Sequence, residues 1–210
     1  MPDEPLIVEV VRSGFAEATH RARLLAVDTA GKPVRVHGDV TGPVSPRSAM
    51  KPLQALGMLR AGLDLDETLL ALACASHSGE RFHVEGVRKI LAGVGLGEDA
   101  LECPPALPAS EEARTEVIRA GGEPRRIYME CSGKHAAMLA TCVVNGWPTA
   151  NYRHPTHPLQ RAIRRTIEEL TRERAAATGV DGCGVPLSFV SMAGVVRAYR
   201  ALVLDEPGTP

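Results

Sequence analysis

Apolar residues change their period near residue 48, and the change separates a strand-forming start from a largely helical remainder. Residues 6–13 (LIVEVVRS) read as a strand. HRARLLAVD, the turn Thr29-Ala30-Gly31-Lys32 and PVRVHGDV then read as a hairpin; the second arm alternates well, the first only in part. Three strands in so short a stretch predict an antiparallel sheet. A Gly- and Pro-rich loop, TGPVSPRS, follows. From Ser48 onward Met50, Leu53, Leu56, Met58 and Leu59 recur at helical spacing, with Gly62 placed to end the helix. Asp64 or Asp66 caps a second helix, ETLLALACASHS, whose all-round apolar character predicts burial. Glu80–Gly93 shows Val84, Val87, Ile90 and Leu91 on one face. Ser110 opens a charged helix, Cys131–Val144 a further one, and QRAIRRTIEELTRE is amphipathic. DGCGVPLSFVSMAGVVRAYRAL reads as loop, short strand and helix, and EPGTP as an exposed tail. A length of 210 residues suits one domain or one domain plus a subdomain.

Composition narrows this picture. The chain is 44% hydrophobic but only 3% aromatic, so aliphatic side chains and alanine fill the core. With 24 basic and 25 acidic residues the net charge is -1. No basic block or aromatic platform offers a nucleic-acid surface, and no apolar run is long enough for a membrane span or signal peptide. A cytoplasmic protein is expected. Five cysteines without a secretory signal point to thiols, metal ligands or catalytic groups rather than to disulfides. Only Lys32, Lys51, Lys89 and Lys134 are lysines, so arginine is the default cation. Lysine can release a proton and arginine cannot, which draws attention to those four.

Three segments could carry chemistry. In Pro46-Arg47-Ser48-Ala49-Met50-Lys51 a serine and a lysine three apart share one face of a helix start. Free N–H groups there can hold an oxyanion, and an uncharged lysine can take the serine's proton. The plainer alternative makes Ser48 a helix cap and Lys51 a solvated side chain. In Cys74-Ala-Ser-His-Ser-Gly-Glu80, Ser76 or Ser78 could supply a second hydroxyl and Glu80 or His83 could bind a substrate's charged ends; capping by Ser78 and Gly79 is the alternative. In the third, Cys131-Ser-Gly-Lys134, the helix start would favour a Cys131 thiolate, and Asp181-Gly-Cys183-Gly adds a second thiol. These could bind zinc, with Lys134, Asp181 or water completing the set. Two buried structural thiols, or a Cys131 nucleophile with His135 or His77 as base, are the rivals. Gly93–Gly97 reads as a turn rather than a nucleotide loop, and His154-Pro-Thr-His157 as a rigid loop.

Taken together and in order, PRSAMKPLQAL, ASHSGE, CSGKHAAML and DGCGVP resemble the L-asparaginase II family of rhizobial type, over nearly the whole chain. The resemblance implies hydrolysis of L-asparagine to L-aspartate and ammonia, a serine β-lactamase-like α+β fold and a homodimer. It implies two serine–lysine tandems: Ser48 with Lys51, and a second serine, Ser78 in preference to Ser76. It further implies a zinc held by Cys131, Lys134 and Cys183, with Asp181 as the acidic neighbour. Arg47, Ser76, Glu80, His83 and Asp181 are then the substrate-binding candidates. Family members usually run much longer and carry the second lysine in a C-terminal segment, whereas no lysine follows Lys134 here. A fragment, or a shorter relative with impaired chemistry that still binds ligand, is the expectation. A penicillin-binding-protein-like peptidase is disfavoured, since no S-D-N motif is present.

Overall fold

A computed structural model describes residues 4–204, so the EPGTP segment lies outside the described residues. Helices and small antiparallel sheets give an α+β protein. The chain separates into two compact units. One comprises Met1–Pro46, Glu168–Ala177 and Ser188–Pro210; the other comprises Arg47–Ile167 and Thr178–Leu187.

In the first unit the expected three strands are four, arranged as two separate hairpins. Strand β1 (Leu6–Arg12) pairs antiparallel with β2 (Phe15–Ala22), with Leu6 opposite Ala22 and Arg12 opposite Phe15. Ser13 and Gly14, at φ 51° and 82°, make the tight turn that suits the right-handed twist of a hairpin. Strand β3 (Leu24–Val27) pairs with β4 (Pro33–His37) around the turn read from the sequence, where Lys32 N donates to the Asp28 carboxylate at 2.8 Å. The segment read as one strand, HRARLLAVD, is broken at Arg23, its ends belonging to different hairpins. The first hairpin escaped the periodicity because almost every residue in it is exposed on both faces, so selection for an apolar face left no alternation in FAEATHRA. Two short strands also went unread, β5 (Pro43–Val44) and β6 (Ala177–Val180). With β7 (Pro186–Ser191) they form a sheet in the order β5–β7–β6, Pro43 lying opposite Ser191.

The second unit holds every candidate site residue. Helices α1 (Lys51–Arg60), α2 (Glu67–Cys74) and α3 (Arg81–Ala92) pack against α5 (Ser132–Val144), and α4 is Glu111–Arg119. Residues Ser132 to Cys142 of α5 are all buried, which makes it the central helix of the unit. Its approach to α2 is set by Gly133, where a Cβ would lie 2.7 Å from the Leu72 carbonyl oxygen. Helix α3 buries Val84, Val87, Ile90 and Leu91, the face read from periodicity. The caps agree as well: the Asp66 carboxylate accepts from Leu69 N, and Ser110 Oγ from Ala113 N. Helix α6 is Pro158–Thr171 and α7 is Met192–Leu204.

Two expectations are corrected. Helix α2 buries only Leu69 and Ala73, and it stops at Cys74 because Ala75 turns to an extended conformation. ASHS is therefore a loop, free to place side chains that a helix would hold on its own surface. The first helix does not begin at Ser48: Arg47–Met50 form a 3-10 turn, and α1 starts at Lys51, with Pro52 in its first turn. Among the described residues, no helix is long and apolar enough to cross a membrane.

Candidate active site

Lys51 and Ser48 are neighbours in sequence but differ sharply in environment. Lys51 is 1% exposed, whereas Ser48 is exposed. Lys51 Nζ donates to Ser76 Oγ at 2.6 Å and to the Ala75 carbonyl at 3.1 Å. Among the described residues no carboxylate lies within ion-pair distance of this amine. The contact exists because α2 ends before Ser76: the extended Ala75-Ser76 backbone brings a carbonyl and a hydroxyl to one buried amine. Ser48 Oγ makes no hydrogen bond to Lys51 among the described residues. The expectation that both would point the same way from a helix start is corrected, because the 3-10 turn before α1 gives Ser48 to solvent while α1 takes Lys51 inward.

Arg47 has φ 46°, a left-handed conformation uncommon for a residue with a side chain. It extends a guanidinium to the Asp181 carboxylate at 3.2 Å, and the Asp181 side chain is only 8% exposed. The first and last motifs are thus joined by an ion pair next to Ser48. Asp181 Oδ1 also accepts from Gly182 N at 2.8 Å, and Gly184 N donates to the Asp181 carbonyl at 2.8 Å, so DGCG is a tight turn.

Ser78, the preferred second serine, does not meet Lys51; its hydroxyl donates to Glu80 at 2.7 Å. Ser76 holds the place beside the amine. Gly79, at φ 77°, passes Pro108 so closely that a Cβ would lie 3.0 Å from the Pro108 Cα, and this explains the glycine of ASHSGE. His83 stacks on His77 with ring centroids 5.2 Å apart, and its Nδ1 is buried without a hydrogen-bond partner. A cavity of about 260 Å³, lined by Ser76, His77, His83, Leu72, Ala75 and Phe82 among others, opens beside this loop.

His77 is the residue that sequence reasoning placed least well. It is 5% exposed; Nε2 lies 2.7 Å from Ser132 Oγ, and Nδ1 accepts from Gly79 N at 3.1 Å. Ser132 Oγ donates its own proton to the Ile127 carbonyl at 2.8 Å, so the imidazole must supply the other proton and is neutral with Nε2–H. Burial first, then the nearby His83 and Lys51, push His77 down from 6.5 to about 4. Both nitrogens are occupied, so His77 is a strut between ASHSGE and the start of α5 and not a base for Cys131. The only sequence signal for this was a histidine between two serines in a loop.

Cys131, Lys134 and Cys183 come together from two distant segments, all at or below 6% exposure. Lys134 Nζ donates to Cys183 Sγ at 3.2 Å. The Cys131 thiol is shifted upward by the hydrogen bond it shares with Cys183 and then by burial; Cys183 is shifted downward chiefly by that same bond, with His135 also favouring its thiolate. The upward shift at Cys131 runs against the thiolate expected there. Among the described residues no group of three or more His, Cys, Asp and Glu side chains is placed to hold a metal ion. The donor set is two thiols and an amine. His154 and His157 are not a metal pair: His157 is buried, with Nε2 2.9 Å from the Pro148 carbonyl and Nδ1 accepting from Leu159 N, while His154 faces Thr156.

A buried lysine bonded to a loop serine, a thiol–amine cluster and an arginine–aspartate pair are all carried by one helical unit of an α+β fold. The model of the L-asparaginase II family matches residues 8–210, and the chain belongs to that family. Comparison with curated proteins finds none that matches.

Proposed function

We propose that this protein hydrolyses L-asparagine to L-aspartate and ammonia with Ser48 as nucleophile and Lys51 as base. The family supports an amidohydrolase acting on asparagine. The observation that carries the mechanism is Lys51 Nζ, buried with no carboxylate partner and 2.6 Å from Ser76 Oγ. Such an amine gains nothing from an ion pair, and burying it costs stability. In this reading a proton passes through the amine between the Ser48 hydroxyl and the Ser76 hydroxyl bonded to it.

In the proposed reaction Lys51 takes the proton of Ser48 as its oxygen attacks the side-chain carboxamide. Backbone N–H groups of the turn that opens α1 face the developing oxyanion. Ser76, bonded to the same amine, relays the proton that Lys51 took from Ser48 to the departing nitrogen, so that ammonia leaves as the C–N bond breaks; water then cleaves the acyl-serine and its proton returns to Ser48 through Lys51. Arg47 and Asp181 are the charged groups for the α-carboxylate and α-ammonium of the substrate, with Ser78 and Glu80 of the ASHSGE loop and His83 at the start of α3 as further binding groups. A serine β-lactamase-like architecture, a homodimer and a cytoplasmic location are part of the same proposal.

Zinc fits the cluster of Cys131, Lys134 and Cys183. Cys183 already favours its thiolate, a second thiol adjoins it and a lysine amine points at it. When bound, the metal would supply Lewis-acid polarisation of a substrate oxygen. Purified protein is expected to carry close to one zinc per chain by metal analysis; well under about 0.2 per chain would reject the cofactor.

Ammonia release from asparagine and from glutamine is the test. Ser48→Ala should remove activity by at least about 10³-fold and leave no acyl-enzyme by intact-mass analysis. Near-normal turnover in that variant would reject Ser48. A second reading, favoured by the 2.6 Å contact, makes Ser76 the nucleophile; a substrate-derived adduct on Ser76 would establish it. Asparagine binding without turnover by this chain would establish the inactive reading. A Cys131-dependent amidase predicts inactivation by thiol alkylation with Ser48→Ala still active.

A further inference from the structure

Three arginines of the first unit line one cavity. It has a volume of about 350 Å³ and lies where the β3–β4 hairpin, the residue after α6 and one face of α7 meet; Arg172, Arg197 and Arg200 are its charged lining residues. The rest of the wall is glycine, proline or aliphatic, with Leu25, Val27 and Val196 among it. No lining side chain carries a carboxylate, hydroxyl, amide or imidazole. Among the described residues none of the three guanidinium groups has a carboxylate within ion-pair distance. Asp28, the acid of the neighbouring turn, accepts from Lys32 N at 2.8 Å and does not line the cavity.

Two of the guanidinium groups are held in place. Arg197 and Arg200 are three apart and share a face of α7 with Ala193 and Val196. Arg197 Nη1 donates to the Thr171 carbonyl at the end of α6. Arg200 Nε donates to the Thr29 carbonyl at 2.7 Å, and the side chain lies across the turn, where a Cβ on Gly31 would be 3.5 Å from Nε. A guanidinium has five N–H donors, so each of these tethers leaves others free. Arg172 follows α6 at φ 54°, a left-handed conformation more usual for glycine or asparagine. Like charges gathered in one wall repel unless an anion sits among them, and the guanidinium fork fits the paired oxygens of a carboxylate or phosphate.

We propose that this cavity is an anion site, built from residues other than those of the candidate active site, for a small organic dianion that carries no amine: a dicarboxylate or a phosphate monoester. The arginines take the oxyanions and the aliphatic wall takes the carbon body. An amino acid fits poorly, because its ammonium would meet three cations and no side-chain acceptor.

Isothermal titration calorimetry at a fixed ionic strength of about 0.15 M, which holds charge screening constant, tests this with succinate and inorganic phosphate as probes. At least one of the two should bind at one site per chain, and the tighter binder tells which oxyanion the site prefers. L-Aspartate should displace it only at concentrations at least about 10-fold higher than succinate itself requires. Arg200→Gln should weaken binding at least about 10-fold. Arg172→Glu, which touches neither tether, should abolish it without lowering the melting temperature, and it carries the test if the Gln variant does not fold. Arg47→Ala, at the candidate active site, should leave the affinity unchanged. Binding that survives in folded Arg172→Glu, or that falls with Arg47→Ala, would put the anion elsewhere and overturn the proposal. Failure of both probes to bind the unmodified protein would overturn it as well.

Discussion

At the scale of single residues, the site is organised around groups whose burial has a thermodynamic cost. Lys51 is one of them. A buried amine bonded only to a carbonyl and a hydroxyl is weakly compensated, so its removal separates function from stability. Lys51→Met should abolish ammonia release while leaving the melting temperature unchanged or raised. A large fall in melting temperature would show that the amine is there to support the fold. His77 gives a pH prediction. Its folded value of about 4 lies below the ordinary 6.5, so the unfolded chain binds the proton more readily in that interval. Stability from this residue is intact above about pH 6.5, declines as pH falls toward 4, and changes no further below that. The loss is on the order of 2 kcal/mol after allowance for partial solvent access. Urea midpoints at pH 7 and pH 5 should therefore fall further apart for wild type than for His77→Gln, whose amide can still donate to Ser132. Equal slopes would mean that the ring is not held neutral.

At the scale of elements, helix termini and close crossings decide where chemistry sits. The segment legible from periodicity was α3, because one apolar stripe faces the unit's core and the other faces water. Helix α2 was misjudged for the opposite reason: Leu70, Ala71 and Leu72 are apolar yet not fully buried, so composition overstated its burial. Its early end at Cys74 could not be read from residues that are all acceptable in a helix. That end is nevertheless what frees Ser76 to reach Lys51. The glycine of CSGK reads as a feature of a site, but in the structure it is a packing requirement. Gly133→Ala would gain about 1 kcal/mol of helix propensity and lose more by driving a methyl into the Leu72 carbonyl, which is backbone and cannot swing aside. A net destabilisation of about 1–3 kcal/mol by chemical denaturation is expected. A stabilised variant would show that α2 can shift without penalty.

At the scale of the whole molecule, the two units differ in how their apolar residues are used. The helical unit buries an aliphatic core in which Tyr152 is the one fully buried aromatic ring among the described residues, in keeping with the 3% aromatic content. The first hairpin exposes Ile7, Val11 and Phe15 at 54%, 59% and 79%. Burial by a second strand layer would have been the ordinary use of such residues; here they stabilise only the hairpin itself. Phe15→Thr should consequently change unfolding free energy by less than about 0.5 kcal/mol, whereas a core change such as Leu53→Ala should cost about 2–5 kcal/mol. A large loss from Phe15→Thr would mean that the hairpin is covered in solution.

The sequence by itself determined the helices with one apolar face, the caps at Asp66 and Ser110, and the four motifs that carry the resemblance to the family. Each of these is written in short-range spacing, where propensity and periodicity act. It also nominated the thiols and lysines of the cluster, since such residues are scarce in this chain. Only the tertiary structure decided which of them meet. Lys51 bonds to Ser76 rather than to Ser48, Lys134 meets Cys183, and His77 became a strut. Those outcomes depend on where helices end and how closely they cross, over separations of 25 to 55 residues. No local pattern encodes them, because the energy that fixes them is burial and hydrogen-bond satisfaction shared among segments that meet only in the folded chain.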